Sequence, residues 1–175
     1  MMEERNETEN ITDILITKEK LDAQAAIDKV SSEYCGANSI FIGTTRDIQN
    51  GRHILKLEYE GYELMAKKEM LKICDKMRKS WPEIKHIVMW HRLGSVPVKE
   101  ASVIIAVSSP HRIDSMSATQ QCMDTLKAVV PIWKQEVYTD GTKEWKENKE
   151  CGWNKENSEA LKTENNAHAQ CSNTS

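Results

Sequence analysis

The apolar run at residues 103–107, VIIAV, is the sequence feature that most constrains how this chain can fold. A short, β-branched run bounded by polar residues is typical of a buried strand. Ser109 is a suitable N-cap and Pro110 a suitable first residue for a helix that follows at once. Pro131 disfavours helical geometry at Val130, so we expect the helix to end there. The sequence therefore predicts a buried strand that leads directly into a long helix.

Apolar residues on this helix recur at three- and four-residue steps, which predicts one buried face. With Gln120 as an interruption, they are Ile113, Met116, Met123, Leu126 and Val130. We expect these five side chains to form part of the hydrophobic core.

The remaining segments alternate between strand and helix patterns. We expect strands at 13–17, 39–43, 53–59, 84–90 and 135–138, and helices at about 17–34 and 63–79. Leu55, Leu57 and Tyr59 alternate with charged residues and should share one face of their strand. Asn50-Gly51 between two of the strands is a hairpin signal. Because a hairpin joins antiparallel strands, the order β-α-β-β-α-β-β-α-β predicts a two-layer α+β fold and not a purely parallel sheet.

The first turn of the long helix carries positive charge, where negative residues are more usual. His111 and Arg112 stand where the helix already has partial positive charge and unpaired N–H groups, so together they predict an anion site. Arg46 follows a predicted strand and could converge with them on one anion. The alternative to an anion site is that both side chains turn into solvent, or that Asp114 offsets their charge.

Two lysines lie beside apolar residues near the end of this helix. Lys127 follows Leu126, and Lys134 follows Trp133 just after the proline. A partly desolvated ammonium suits acid–base chemistry. In the alternative, each lysine buries its aliphatic stem and keeps its charge in water.

Composition argues against several functional classes. The net charge of −3, with both signs mixed along the chain, gives no electrostatic case for nucleic acid. No apolar run approaches the roughly 20 residues of a membrane span, and the acidic start MMEERNETEN is unlike a targeting peptide. The five cysteines have no metal-ligand spacing, so we expect free thiols, no metal site and a cytoplasmic protein.

Several motifs, in consistent order from about Ile11 to Trp153, resemble one known family. They are FIGTTR (41–46), LEYEGY (57–62), WP with HRLG (81–94), SSPHR (108–112) and DTLKAVVPIWKQE (124–136). The chain is similar to the large, catalytic subunit of molybdopterin synthase. The resemblance implies an α/β-hammerhead fold with additional antiparallel β structure, and a domain over residues 11–153. Residues 1–10 and the polar tail 154–175 are expected to be disordered.

The resemblance also implies an activity and its partners. Members of the family are sulfurtransferases of molybdenum cofactor biosynthesis: they convert precursor Z (cyclic pyranopterin monophosphate) into molybdopterin by adding two dithiolene sulfurs. The sulfur comes from the thiocarboxylated C-terminal Gly-Gly of a small ubiquitin-like subunit. Two large subunits form the centre of a heterotetramer, and no cofactor is implied. The alternative function is a non-catalytic adaptor that binds a phosphorylated ligand or a ubiquitin-like tail.

Site residues follow from the resemblance, position by position. It implies that Lys127 and Lys134 are catalytic and also contact substrate. The other implied substrate-binding residues are Arg46, His111, Arg112, Gln135 and Glu136. Arg46 is expected to join the His-Arg pair, either within one chain or across the contact between two large subunits. Gln135 stands where many relatives carry a basic residue.

Overall fold

The computed structural model describes residues 10–146. Its strands are β1 (Thr12–Thr17), β2 (Ala37–Thr44), β3 (Ile48–Gln49), β4 (Arg52–Gly61), β5 (Ile87–Arg92), β6 (Gly94–Pro97), β7 (Ala101–Ser109), β8 (Ile132–Tyr138) and β9 (Lys143–Lys146). Its helices are α1 (Ala23–Val30), α2 (Glu63–Ser80) and α3 (Arg112–Val129). The predicted mixture of α and β structure is confirmed. The expected domain end at 153 and the polar tail lie outside the described residues, as does all of the N-terminal segment except Asn10.

Two sheets organise the molecule. The first has the order β1-β5-β7-β2, in which only the β1–β5 pair is parallel. The second has the order β3-β4-β8-β9, with β6 also paired to β4, and all of its pairs are antiparallel. The predicted departure from a purely parallel sheet is therefore confirmed.

The main core lies between the first sheet and the helices α2 and α3. Fully buried members include Met70 and Met77 of α2 and Ile105 of β7. A second cluster lies on the other face of the same sheet, where Val30 of α1 packs with Ile104 and Ala106 of β7. Strand β7 is thus buried on both faces, which is why its sequence is a continuous apolar run.

The predicted hairpin forms at Asn50-Gly51. Both residues have positive φ values, 51° and 76°, as a tight two-residue hairpin turn requires. The turn joins β3 to β4, and Gln49 pairs with Arg52 across it.

The buried face of α3 differs from the prediction. Met123, Leu126 and Val130 are buried as expected, but Ile113 is 70% and Met116 61% exposed. Before Met123 the helix instead buries small side chains, which are Ser115, Ala118, Thr119 and Cys122. Small residues let the helix approach β2 and β7 closely, and the two large apolar side chains are left on the outside.

The first helix is shorter than predicted. Asp22, not Thr17, caps it, since Asp22 Oδ1 accepts hydrogen bonds from the backbone N–H groups of Gln24 and Ala25. Thr17 remains in β1, where it pairs with Arg92 of β5. The predicted bounds of 17 to 34 were wrong: strand pairing holds Thr17 in β1, and the helix runs only from Ala23 to Val30.

Strand β4 contains a bulge that the alternation did not reveal. The register with β8 shifts between Ile54 and Lys56, and Leu55 at the shift is 55% exposed. Ile54 and Leu57 are buried instead. The prediction that Leu55 shares a face with Leu57 was wrong, because one extra residue reverses the alternation locally.

Candidate functional site

A cavity of about 580 Å³ lies where the two sheets meet. Its walls come from the end of β2 and the loop that follows, the C-terminal end of α3, and the facing strands β4 and β8. Gly43 forms part of the wall, and a Cβ atom there would lie 2.6 Å from Val103 Cγ1. Side-chain volume at this position would therefore have to be accommodated by movement of the wall.

Positive side chains outnumber negative ones in the lining of the cavity. Arg46, Lys127, Lys134 and Lys146 line it, and Glu136 is the acidic residue among the described lining residues. An excess of cations around a partly enclosed space favours an anionic ligand. The structure thus brings together four of the predicted site residues, Arg46, Lys127, Lys134 and Glu136.

The end of α3 positions Lys127. Leu126 is buried, and Pro131 follows the extended cap residue Val130, so the helix ends as predicted. Lys127 lies in the last turn and is half-buried, where the negative end of the helix dipole favours a cation.

Strand alternation positions Lys134 and separates it from Gln135. Lys134 and Glu136 are two residues apart on β8 and both line the cavity. Gln135 lies between them, pairs with Glu58 and Trp145, and is not part of the lining. Successive side chains of a strand point to opposite faces, so the side chain of Gln135 faces away from those of Lys134 and Glu136.

Arg46 is held by a neighbour from the hairpin. Its Nη2 donates a hydrogen bond of 2.6 Å to Oε1 of Gln49, and both residues line the cavity. Sequence reasoning missed Gln49, although it lies only three residues after Arg46 in the chain.

Glu136 is buried within a small polar network. It accepts a hydrogen bond of 2.6 Å from the Tyr138 hydroxyl, and Lys146 Nζ lies 3.4 Å from its Oε2 atom. Lys146 also pairs with Glu144 at 2.9 Å. The hydrogen bond to Glu144 and the charge of Glu136 raise the pKa of Lys146 above its ordinary value, so this ammonium stays protonated. Sequence reasoning missed Lys146, which lies on a strand that was not predicted.

The structure does not bring His111 and Arg112 to this cavity within one chain. Both side chains are exposed at the N-terminal end of α3. At 1.5 Å per residue, the helix separates them from Lys127 by roughly 24 Å. The predicted convergence of Arg46 with the His-Arg pair therefore does not occur within a single copy.

Two buried cysteines belong to the core and not to the cavity. Burial raises the pKa of Cys74 to about 12 and also shifts the pKa of Cys122 upwards. Both thiols are therefore protonated and poorly nucleophilic near neutral pH. Within residues 10–146 there is no group of three or more His, Cys, Asp or Glu side chains placed to hold a metal ion. None of the three described helices is long and apolar enough to cross a membrane.

Comparison with known proteins places this chain in one family. Residues 16–129 match the family described as MoaE protein. The molybdopterin synthase catalytic subunit 1 of Aedes aegypti is 56% identical over 142 residues, which are 80% of this chain and 92% of that protein. The resemblance noted in the sequence is thereby confirmed.

Solved structures agree in fold. The crystal structure of molybdopterin synthase from Staphylococcus aureus superposes with a TM-score of 0.71 at 34% identity, covering 77% of this chain and 96% of that one. A complex of subunits 1 and 2 of molybdopterin-converting factor from Helicobacter pylori gives a TM-score of 0.63 at 20% identity, over 79% of this chain and 91% of that one. The sequence match and the shared fold lead to one conclusion: this chain belongs to the MoaE family.

Proposed function

We propose that this chain is the catalytic subunit of a molybdopterin synthase, a sulfurtransferase that converts precursor Z into molybdopterin. The sulfur would come from the C-terminal thiocarboxylate of a small ubiquitin-like subunit. The observation that carries the proposal is that Arg46, Lys127 and Lys134, which are distant in sequence, line one cavity. Relatives that carry the name of this enzyme support it.

The chemistry of the cavity suits the reactants. Precursor Z carries a phosphate, and arginine and lysine side chains bind phosphate and carboxylate groups well. The incoming thiocarboxylate is itself the nucleophile, so no cysteine is needed, in agreement with the protonated thiols of Cys74 and Cys122. Lys127 and Lys134 would stabilise negative charge that develops during transfer and exchange protons with the reactants.

Single-turnover sulfur transfer tests the proposal. The purified chain would be mixed with a thiocarboxylated small subunit and precursor Z, and the dithiolene product measured. We expect dithiolene product from wild type, and a yield at least about 100-fold lower from Lys127→Ala. Lys76→Ala, which removes an exposed lysine of α2, is the matched control and should retain activity. Tight binding of both reactants by wild type without product would favour the adaptor function instead.

We also propose that a second copy of the chain completes the site. His111 and Arg112 are too far from Lys127 to contact the same substrate within one chain, as the length of α3 shows. In a two-fold dimer the same surface of each copy contacts the other, so two α3 helices that run antiparallel would bring each His-Arg pair to the other copy's cavity. The exposed Ile113 and Met116 lie along that helix face and could be covered by such a contact.

Mixing two inactive variants tests this arrangement. Arg112→Ala and Lys127→Ala would each be purified, mixed and allowed to exchange subunits. If Arg112 acts across the dimer, a hybrid has one intact site, and random exchange restores about a quarter of wild-type activity. If Arg112 acts within its own chain, every site carries a defect and no activity returns.

We further propose that the reaction takes place in the cytosol. The free thiols of Cys35, Cys74 and Cys122 support this location, since the cytosol keeps thiols reduced. Expression of a fluorescently tagged chain, followed by cell fractionation, would test it. Recovery in a membrane-bounded compartment would contradict the proposal.

A further inference from the structure

A buried histidine lies in the wall of the cavity and has one ring nitrogen that the fold does not use. His91, near the end of β5, is 5% exposed. Its Nδ1 lies 2.8 Å from the carbonyl oxygen of Arg92. A carbonyl oxygen can only accept, so Nδ1 carries the proton and donates it. In the neutral ring Nε2 is then a hydrogen-bond acceptor, and within residues 10–146 it has no hydrogen-bond partner.

This nitrogen can be reached from the cavity. In the described part of the chain, the fully enclosed polar side-chain atoms without a partner are Arg92 Nε and Ser109 Oγ. His91 Nε2 is not among them, although it also lacks a partner. The ring itself is held in place, since the Tyr59 ring packs edge-on against it with 5.0 Å between centroids.

The environment keeps the imidazole neutral. Burial lowers the pKa of His91 to about 4, and the positive charge of Lys134 acts in the same direction, against the hydrogen bond to the Arg92 carbonyl. Tyr59 lies directly opposite Lys134 in the register of β4 and β8, which places the histidine ring close to this cation. At neutral pH Nε2 therefore remains an acceptor beside a group of donors.

Neighbouring hydroxyl groups are already engaged within the fold. Tyr59 donates to Ser102, and Ser102 donates to the Gly43 carbonyl, at 3.2 Å each. Thr45 donates to the carbonyl of Val96 at 3.2 Å. The cationic side chains of the cavity offer donors only. A neutral acceptor in such a wall is suited to a ligand group that carries N–H.

We propose that His91 is a specificity-determining residue, whose Nε2 accepts a hydrogen bond from an N–H group of the pterin ring system. The inference rests on the proposed function, which supplies a ligand with both a phosphate and an N–H-bearing heterocycle. The cations bind the phosphate, and His91 accepts a hydrogen bond from the heterocycle. A ligand without the N–H group would leave a buried acceptor unpaired, which is how a polar site rejects close analogues.

Two variants of His91 and two probes test the inference. Titration calorimetry would measure the binding of precursor Z and of inorganic phosphate to the full chain in complex with its small subunit. His91→Phe keeps an aromatic ring beside Tyr59 but removes the acceptor, and we expect it to weaken precursor Z binding by about 10-fold to 100-fold. Phosphate binding should change by less than about 2-fold. His91→Gln, which returns an amide oxygen near the Nε2 position, should recover part of the loss.

A second histidine provides the control for structural damage. His86 is equally buried and immediately precedes β5, where its Nδ1 accepts a hydrogen bond of 3.1 Å from the Ile11 N–H. His86→Phe should lower the melting temperature without changing the ratio of precursor Z to phosphate affinity. If His91→Phe unfolds, the same ratio in His91→Gln decides the question. A partial loss of precursor Z discrimination supports the acceptor role, and a complete loss despite the returned amide oxygen contradicts it.

The possible results separate this inference from the proposed function. If His91→Phe binds precursor Z as tightly as wild type, or loses both probes equally, His91 does not read the heterocycle. If wild type binds precursor Z through His91 but never yields product, the inference stands and the sulfurtransferase function fails. A rise in KM that exceeds the fall in kcat would support a role in substrate binding.

Discussion

Lys134 and Lys146 lie directly opposite each other on the antiparallel strands β8 and β9, and both line the cavity. Like charges in this position repel each other. The carboxylate of Glu136, on the same face of β8, lies 3.4 Å from Lys146 and offsets part of that repulsion. A lysine pair that faces a cavity can be stabilised further by a bound anion, which fits the ligand proposed for this site.

The lysine pair leads to the first prediction. Lys146→Met keeps the aliphatic stem and removes the charge, and should weaken precursor Z binding by about 2-fold to 5-fold, because this ammonium already pairs with carboxylates. Lys134→Met should lower single-turnover sulfur transfer by about 100-fold, as expected for a proton-transfer group. Lys143→Met, an exposed lysine on the same strand, is the control. Equal effects of all three substitutions would argue against distinct roles.

Gln49 gives the second prediction, because it holds the Arg46 side chain. Gln49→Ala should raise KM for precursor Z by about 3-fold, since Arg46 loses one hydrogen-bond partner. Gln49→Glu should raise KM by about 10-fold or more, because a carboxylate would neutralise Arg46 and repel the phosphate. Steady-state kinetics would measure both effects. A smaller effect for Glu than for Ala would contradict the assignment of Arg46 to anion binding.

The third prediction concerns pH. The pKa of His91 is about 4 in the folded chain and about 6.5 in an unfolded one. As pH falls below 6.5 the unfolded chain takes up the proton first, so the free energy of unfolding decreases between pH 6.5 and pH 4. The full contribution of this pKa difference to the free energy of unfolding is about 3 kcal/mol. Urea unfolding at pH 7 and pH 4.5 should show a smaller loss for His91→Phe than for wild type, and identical losses would be evidence against a neutral buried ring.

The fourth prediction concerns the core. Met77 of α2 is fully buried between the helix and the first sheet, and Met77→Ala should lower the free energy of unfolding by about 2–5 kcal/mol. Leu71 on the same helix is 46% exposed, and Leu71→Ala should cost less than about 1 kcal/mol. Denaturant titration of the pair would measure both values. A similar cost at the two positions would mean that the buried face of α2 has been misassigned.

Local patterns alone predicted much of the fold. The strand at 103–107, the hairpin at Asn50-Gly51 and the end of α3 before Pro131 depend on short-range sterics and continuous apolar runs, which a sequence records directly. The errors have non-local causes. Strand pairing kept Thr17 out of the first helix, and a bulge against β8 turned Leu55 outwards.

The sequence by itself determined which charged groups are available for function, but only the tertiary structure decided which of them share a site. Arg46, Lys127 and Lys134 were identified by motif, and two sheets and a helix end bring them to one cavity. Gln135, adjacent to Lys134, faces the other way because a strand alternates. The sequence did not predict that His91 and Lys146 line the cavity. Pairing between distant strands sets their position, and residue order does not encode that pairing locally.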